Sequence, residues 1–197
     1  MQNAIAEISA SSLQEWQAIC IKVDQPPLFG SFVIVQHGVQ QYLGLVHHIA
    51  TGPIDNLHQP FPLQRTHDEL MRDYPHVQFF LQTIISCLAL GHIIDSRIVL
   101  QWPPQPPPLH APVMQASKNI YQELLIDHQY LSMIFYHKNI AHYLDELLLA
   151  VLSRVNEQQL LTTPLLEQFV AQFSLLAGND YRRLKLFLQR VERIFST

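Results

Sequence analysis

Hydrophobic and polar positions along the chain follow two grammars, and the change from one to the other falls near residue 117. Between Ile19 and Pro53 short apolar runs are cut by turn residues, in the order AICIKVD, QPPLFG, SFVIVQ, HGVQQ and YLGLVHHIATG. Val33, Ile34 and Val35 are β-branched, restrict χ1 and favour extended chain, while Pro26, Pro27, Gly30 and Gly38 mark connections. His37-Gly38 ahead of Val39 predicts a hairpin bend, and Gly44 inside YLGLV predicts a bulge or a close backbone approach. Three or more short strands at this spacing predict a small barrel. In SSLQEW, Ser12 and Glu15 stand in capping-box register, so this stretch reads equally as the start of a short helix.

Residues Ile54 to Gln64 are proline-rich and irregular. Thr66-His67-Asp68-Glu69 then forms a second capping-box pattern, which predicts a short helix through Leu70 and Met71 that stops at Pro75. The run VQFFLQTIISCLALGHII is continuously apolar, a pattern that periodicity alone cannot divide between helix and strand. Its composition divides it: helix from Val77 to about Leu81, then strand from Thr83 to Ile94, where Thr83, Ile84, Ile85 and Ile93 are β-branched and Gly91 disfavours a helix interior. Ser96 to Gln101 reads as the returning strand. Pro103 to Pro112 holds six of the 13 prolines and prefers polyproline II, a stiff connector or edge strap. Its place between ordered elements favours that role over a ligand for an SH3 or WW domain.

Beyond Ser117, a good N-cap, the period becomes 3.6. Ile140, Leu144, Leu147, Leu148, Val151 and Val155 line one face, with Asp145, Glu146, Arg154 and Glu157 elsewhere. Thr163-Pro164 opens another helix, with Phe169, Val170, Phe173 and Leu176 apolar, and Gly178 closes it. Asn179 or Asp180 caps a last helix that turns Leu184, Phe187, Leu188, Val191 and Phe195 inward. The fold class is therefore α+β: an N-terminal small β-barrel over residues 1–116, with an inserted helix and a proline strap, then a C-terminal antiparallel helical bundle over 117–197.

Composition narrows the classes. The 197 residues are 48% hydrophobic and 14% charged with net charge −4, which excludes a disordered chain. No apolar run reaches the roughly 18 uncharged residues of a membrane span, and MQNAIAEISA lacks a basic region followed by an apolar one, so the expected compartment is the cytoplasm. Cys20 and Cys87 sit among aliphatic residues without a CxxC partner, as reduced core thiols do.

The ordered pattern LFGSFVIVQHGVQQYLGLVHHIATGP, a short helix, CLALGHI, then a proline-rich run ending in APVMQAS resembles the HAS barrel, the small β-barrel shared by HerA-type ATPases and ATP synthase subunits. The resemblance covers about residues 3–116 and rests on Gly30, Val33, Gly44 and Val46, on Leu90-Gly91, and on the prolines before Val113. In that family the barrel precedes a motor and helps to assemble a ring, so the resemblance implies an assembly surface rather than chemistry. A HerA-type motor would follow with a Gly-Lys-Ser or Gly-Lys-Thr phosphate loop. Here glycine occurs only at 30, 38, 44, 52, 91 and 178, and none precedes lysine.

Candidate chemistry is sparse. Among the 11 histidines, His47-His48 are adjacent and point to opposite strand faces, and His137 and His142 are five apart, so neither pair has metal-ligand register. His142 with Asp145 and Glu146, on one helix face, is the best local metal candidate. No GxSxG elbow occurs, and His67-Asp68-Glu69 and Asp127-His128 are the near carboxylate–imidazole neighbours. No catalytic residue, cofactor site or metal site is assigned, and a cryptic enzyme between barrel and bundle is one alternative. The basic concentration lies in the last helix, where Arg182, Arg183, Lys185, Arg190 and Arg193 oppose Asp180 and Glu192. These five are the candidate contacts to nucleic acid or to a partner, with anionic lipid a weaker option. Residues 1–125 carry 5 basic and 9 acidic side chains, a balance that does not favour general nucleic-acid binding. The leading expectation is a non-enzymatic module that self-associates or binds a protein. An accessory of DNA processing, which recruits a separate ATPase or uses the basic helix, is the other alternative.

Overall fold

Strands buried on both faces lose their polar alternation, and this explains the continuous apolar runs of FVIV and TIISCLALG. In the computed structural model of the chain, described for residues 3–55, 64–95, 97–178 and 180–195, seven strands form one antiparallel sheet. They are β1 (Ala6–Ser11), β2 (Glu15–Cys20), β3 (Phe32–His37), β4 (Gln40–Pro53), β5 (Leu81–Ile94), β6 (Arg97–Val99) and β7 (Pro112–Gln115). The order β2-β1-β7-β3-β4-β5 closes on itself through β2–β5 pairing, which makes a six-stranded barrel with β6 hooked onto β5.

The barrel interior is lined by small side chains, Ala6, Ala18, Cys20, Cys87, Ala89 and Ala111, packed around Trp16 and Tyr42. Trp16 explains Gly44: a Cβ at that position would come within 2.4 Å of indole Cζ2, and the β4–β5 register shifts between Leu43 and Gly44. Both readings of Gly44, bulge and close approach, hold. The β3–β4 hairpin turns at Gly38 as expected.

The outer face of β3, β4 and β5 offers Phe32, Ile34, Leu43, Leu45, Leu88 and Leu90, and these join one core with the helices that follow residue 117. The helices are α1 (His67–Asp73), α2 (Lys118–Ile126), α3 (Gln129–Phe135), α4 (Leu144–Glu157), α5 (Thr163–Leu176) and α6 (Tyr181–Phe195). Each fully covered aliphatic or aromatic side chain contributes about 1.5–3 kcal/mol, so covering this wall is a large term in holding barrel to helices. Gly30 fits the seam, because a Cβ there would meet the Ala150 backbone of α4 at 2.7 Å and its φ is +80°.

Several local expectations are refined. The capping box at Thr66 and Glu69 is present in both directions, and α1 ends with Tyr74 as its cap ahead of Pro75. Pro75–Phe80 forms a 3₁₀ turn, and the strand after it starts at Leu81 rather than Thr83. SSLQEW is no helix: Ser12 Oγ donates to the Glu15 carbonyl and accepts from its N–H, so the same register closes the β1–β2 turn. Pro112–Gln115, read as the end of the strap, is a strand that joins β1 to β3. The cap of α5 is Thr162, one residue early, with Thr163 already helical, and Ser117 stands at the α2 N-cap without a side-chain bond. Ile140 is buried but sits in a 3₁₀ turn (Lys138–Ile140) before α4. Asp180 Oδ1 accepts from the Arg183 N–H at 3.0 Å and starts α6. The Asn179 cap, residues 56–63 of the irregular segment, Ser96 and the Phe195 side chain lie outside the described residues.

Candidate functional site

Where the barrel meets the segment before α4, four residues from three chain-distant segments make one polar latch. β2 begins with Glu15, half-buried at the barrel rim. On β4, a register shift between Val46 and His48 takes His47 out of the ladder, the re-aiming that a β-bulge produces. His47 is 4% exposed, whereas His48 faces solvent. Its Nε2 lies 3.0 Å from Glu15 Oε1 and its Nδ1 2.8 Å from the Tyr143 hydroxyl. A carboxylate only accepts, so Nε2 carries the hydrogen and Nδ1 accepts the phenol proton. Glu15 Oε2 accepts from Asn139 Nδ2 at 2.9 Å, which brings the 3₁₀ turn into the same network.

The electrostatics keep the latch neutral at its centre. Burial lowers the pKa of His47, and the opposing pull of Glu15 does not cancel it. His137, with its ring centroid 6.4 Å from that of His47, is lowered by burial as well. Burial and, after it, the Glu15 charge raise the pKa of Tyr143. A phenol held in its protonated form beside a neutral imidazole ties strand to helix, and it is not activated for attack. Both ring nitrogens of His137 are buried without a hydrogen-bond partner among the described residues.

Beside the latch opens a cleft of about 660 Å³, walled by Trp102, Tyr136, His137, Lys138 and Asn139 among others. Trp102 is 46% and Tyr136 77% exposed, so both present aromatic surface to water.

The metal candidate is corrected. His142 lies in a turn before α4 and not on the helix with Asp145 and Glu146, because Tyr143 is the α4 N-cap. The two carboxylates are taken up by arginines: Arg183 bonds Asp145 through Nε at 3.1 Å and Nη2 at 2.5 Å, and Arg190 grips Glu146 with two bonds of 2.6 Å. Arg183 also lies over the Phe135 and Phe173 rings, at 5.8 and 5.6 Å. Of the five cations singled out in α6, these two therefore face α4, while Arg182, Lys185 and Arg193 are on exposed positions. Among the described residues no group of three or more histidine, cysteine, aspartate or glutamate side chains converges as a metal site.

Sequence reasoning used Glu15 only as a cap and His47 only as a poor metal ligand, and it passed over Tyr143, Asn139 and Trp102. The available signal was a histidine inside an otherwise apolar strand, which requires polar partners when buried. Compared with known proteins, the chain matches no family model and no curated protein. Among the described residues no helix is long and apolar enough to cross a membrane.

Proposed function

We propose that the chain is a non-enzymatic interaction and assembly module: a barrel of the HAS kind over residues 1–116, carrying an antiparallel helical bundle over 117–197, in the cytoplasm with Cys20 and Cys87 reduced. The observation that carries this reading is the far end of the β4–β5 ribbon. Among the described residues, Gly52↔Gln82 and Pro53↔Leu81 pair only with each other, past Ile19↔Ile84, where β2 leaves the ladder. At this tip Ile54 is 57%, Phe79 73% and Phe80 65% exposed, and the Ile54 N–H bonds the Phe80 carbonyl at 2.9 Å. Apolar side chains left in water favour association, at about 25 cal/mol for each Å² covered. A second copy or a protein partner is the occupant this chemistry fits.

The reading as a DNA-processing accessory has less support, since Arg183 and Arg190 spend their charge on Asp145 and Glu146. The catalytic reading has less support again, because Glu15, His47 and Tyr143 spend their polar groups on one another across the barrel–helix seam.

The test compares wild type with a Phe79→Glu/Phe80→Glu variant by sedimentation velocity and by nuclease-treated co-purification. The expected result is an assembly, or a stoichiometric protein partner, that the variant loses while its melting temperature stays unchanged. A wild-type monomer with no partner, or retention that nuclease abolishes, contradicts it.

A further inference from the structure

We propose that the cleft beside the latch binds a small, planar aromatic or heteroaromatic anion, an activity separate from assembly at the ribbon tip. Its volume, about 660 Å³, lies within the roughly 300–1,000 Å³ typical of small-molecule sites. Two aromatic walls come from different elements, Trp102 from the start of the strap and Tyr136 from the end of α3, and both are exposed. A planar ring stacked on these faces removes that surface from water.

Polar groups line the same cleft. His137 is neutral, with one donor and one acceptor nitrogen, and both are buried and unpaired among the described residues. A buried unpaired polar atom is costly, and the two nitrogens point to opposite sides of the imidazole, so a turn of the ring toward the cleft lets a ligand donor or acceptor pair with one of them. Asn139 gives its amide nitrogen to Glu15, and among the described residues its carbonyl oxygen is left for a ligand donor. Gln101 adds a further amide.

The charge preference follows from Lys138, an exposed cation on the cleft wall. The nearest carboxylate in the latch, Glu15, has one oxygen on His47 and the other on Asn139. The chain's net charge of −4 and a single cleft lysine suit a small anion rather than a nucleic-acid polymer. A second cleft of about 670 Å³ lies at the barrel edge, but its lining holds no aromatic ring, and its lysine, Lys22, is bonded to Gln25 at 3.0 Å.

The experiment titrates the full chain with flavin mononucleotide and AMP, each against its neutral counterpart, riboflavin and adenosine. Indole N–H and imidazole NMR signals report the site, with Trp16 inside the barrel as internal reference. The anions are expected to move the Trp102 and His137 signals and to leave Trp16 in place. Trp102→Leu should weaken binding about tenfold or more, as loss of an aromatic stacking platform does. Lys138→Gln should bring anion and neutral partner to within about twofold of each other, which is the loss of one exposed charge pair. Melting temperatures of both variants should match wild type, since neither side chain belongs to the core. The proposal is overturned if neither anion moves Trp102 and His137 at millimolar concentration, if the neutral partners bind equally well to wild type, or if Trp102→Leu binds as wild type does.

Discussion

Replacing Gly44 with alanine tests the packing of the barrel interior at one atom. The added methyl would stand 2.4 Å from Trp16 Cζ2, 3.1 Å from Cε2 and 3.4 Å from Cys87 Cβ. Carbon atoms prefer about 3.5–4.0 Å, so the indole must retreat by roughly 1 Å. It has nowhere to go, because Trp16 is 1% exposed and Ala18, Ala89 and Val113 share its small interior. Two effects oppose each other. Removing a glycine from the unfolded ensemble gains about 0.4–1 kcal/mol, while overpacking a filled core costs about 1–3 kcal/mol. The clash involves ring atoms wedged in a closed barrel and not a flexible chain end, so overpacking wins and a net loss of about 1–2 kcal/mol is expected. Urea unfolding of Gly44→Ala, Trp16→Phe and the double variant reads the effect. Phenylalanine is smaller than the indole and vacates the contact, so in that background Gly44→Ala should cost at least about 1 kcal/mol less than in wild type. Additivity within about 0.5 kcal/mol would mean that the methyl does not meet the indole, and the proposed packing of β4 on β2 would be wrong.

Three further outcomes follow from the latch and the α4–α6 seam. Because the folded pKa values of His47 and His137 are lowered from 6.5, the unfolded chain takes up protons first on acidification; stability is whole above about pH 6.5 and falls below it, by at most ~1.4 kcal/mol per pH unit for each imidazole. Urea midpoints from neutral pH to pH 5 check this, and a profile that His47→Gln leaves unchanged would refute it. Tyr143→Phe leaves His47 Nδ1 buried without its donor and should cost about 1–3 kcal/mol in the same assay; a loss under about 0.5 kcal/mol would show the bond to be water-accessible. Arg183 and Asp145 are 35% and 34% exposed, so a double-mutant cycle should give no more than about 1 kcal/mol, shrinking in high salt; a larger, salt-independent coupling contradicts that.

How much of this was legible in the sequence depended on the reach of the interaction concerned. The hairpin at Gly38, the capping box at Thr66 and the apolar face of α4 are local, and each is read from neighbours within about one turn. β1 was missed because only Ala6 and Ile8 face inward there and a bulge follows Ile8. β7 was missed because Pro112 suggested the strap continues, although a proline can begin a strand where its N–H is not needed. In SSLQEW, one hydroxyl-to-backbone geometry serves a helix start and a tight turn alike, and barrel closure decided for the turn. The latch was illegible because Glu15, His47 and Tyr143 are 32 and 96 residues apart in their bonds, and only the closed barrel with α4 laid against it brings them together. Likewise the cationic face of α6 was visible in the sequence, but its pairing with Asp145 and Glu146 needed the α4–α6 contact.

Assembly through the exposed ribbon tip is tested most directly by a photo-crosslinking residue, benzoylphenylalanine, placed at Phe79 in cells, with Val39 as the control. Both sites are exposed, Phe79 at 73% and Val39 at 97%, so neither substitution disturbs the core. A discrete protein adduct is expected from position 79, of a second copy or of one partner, and none from position 39. No adduct at 79, or the same adducts from both positions, would contradict it.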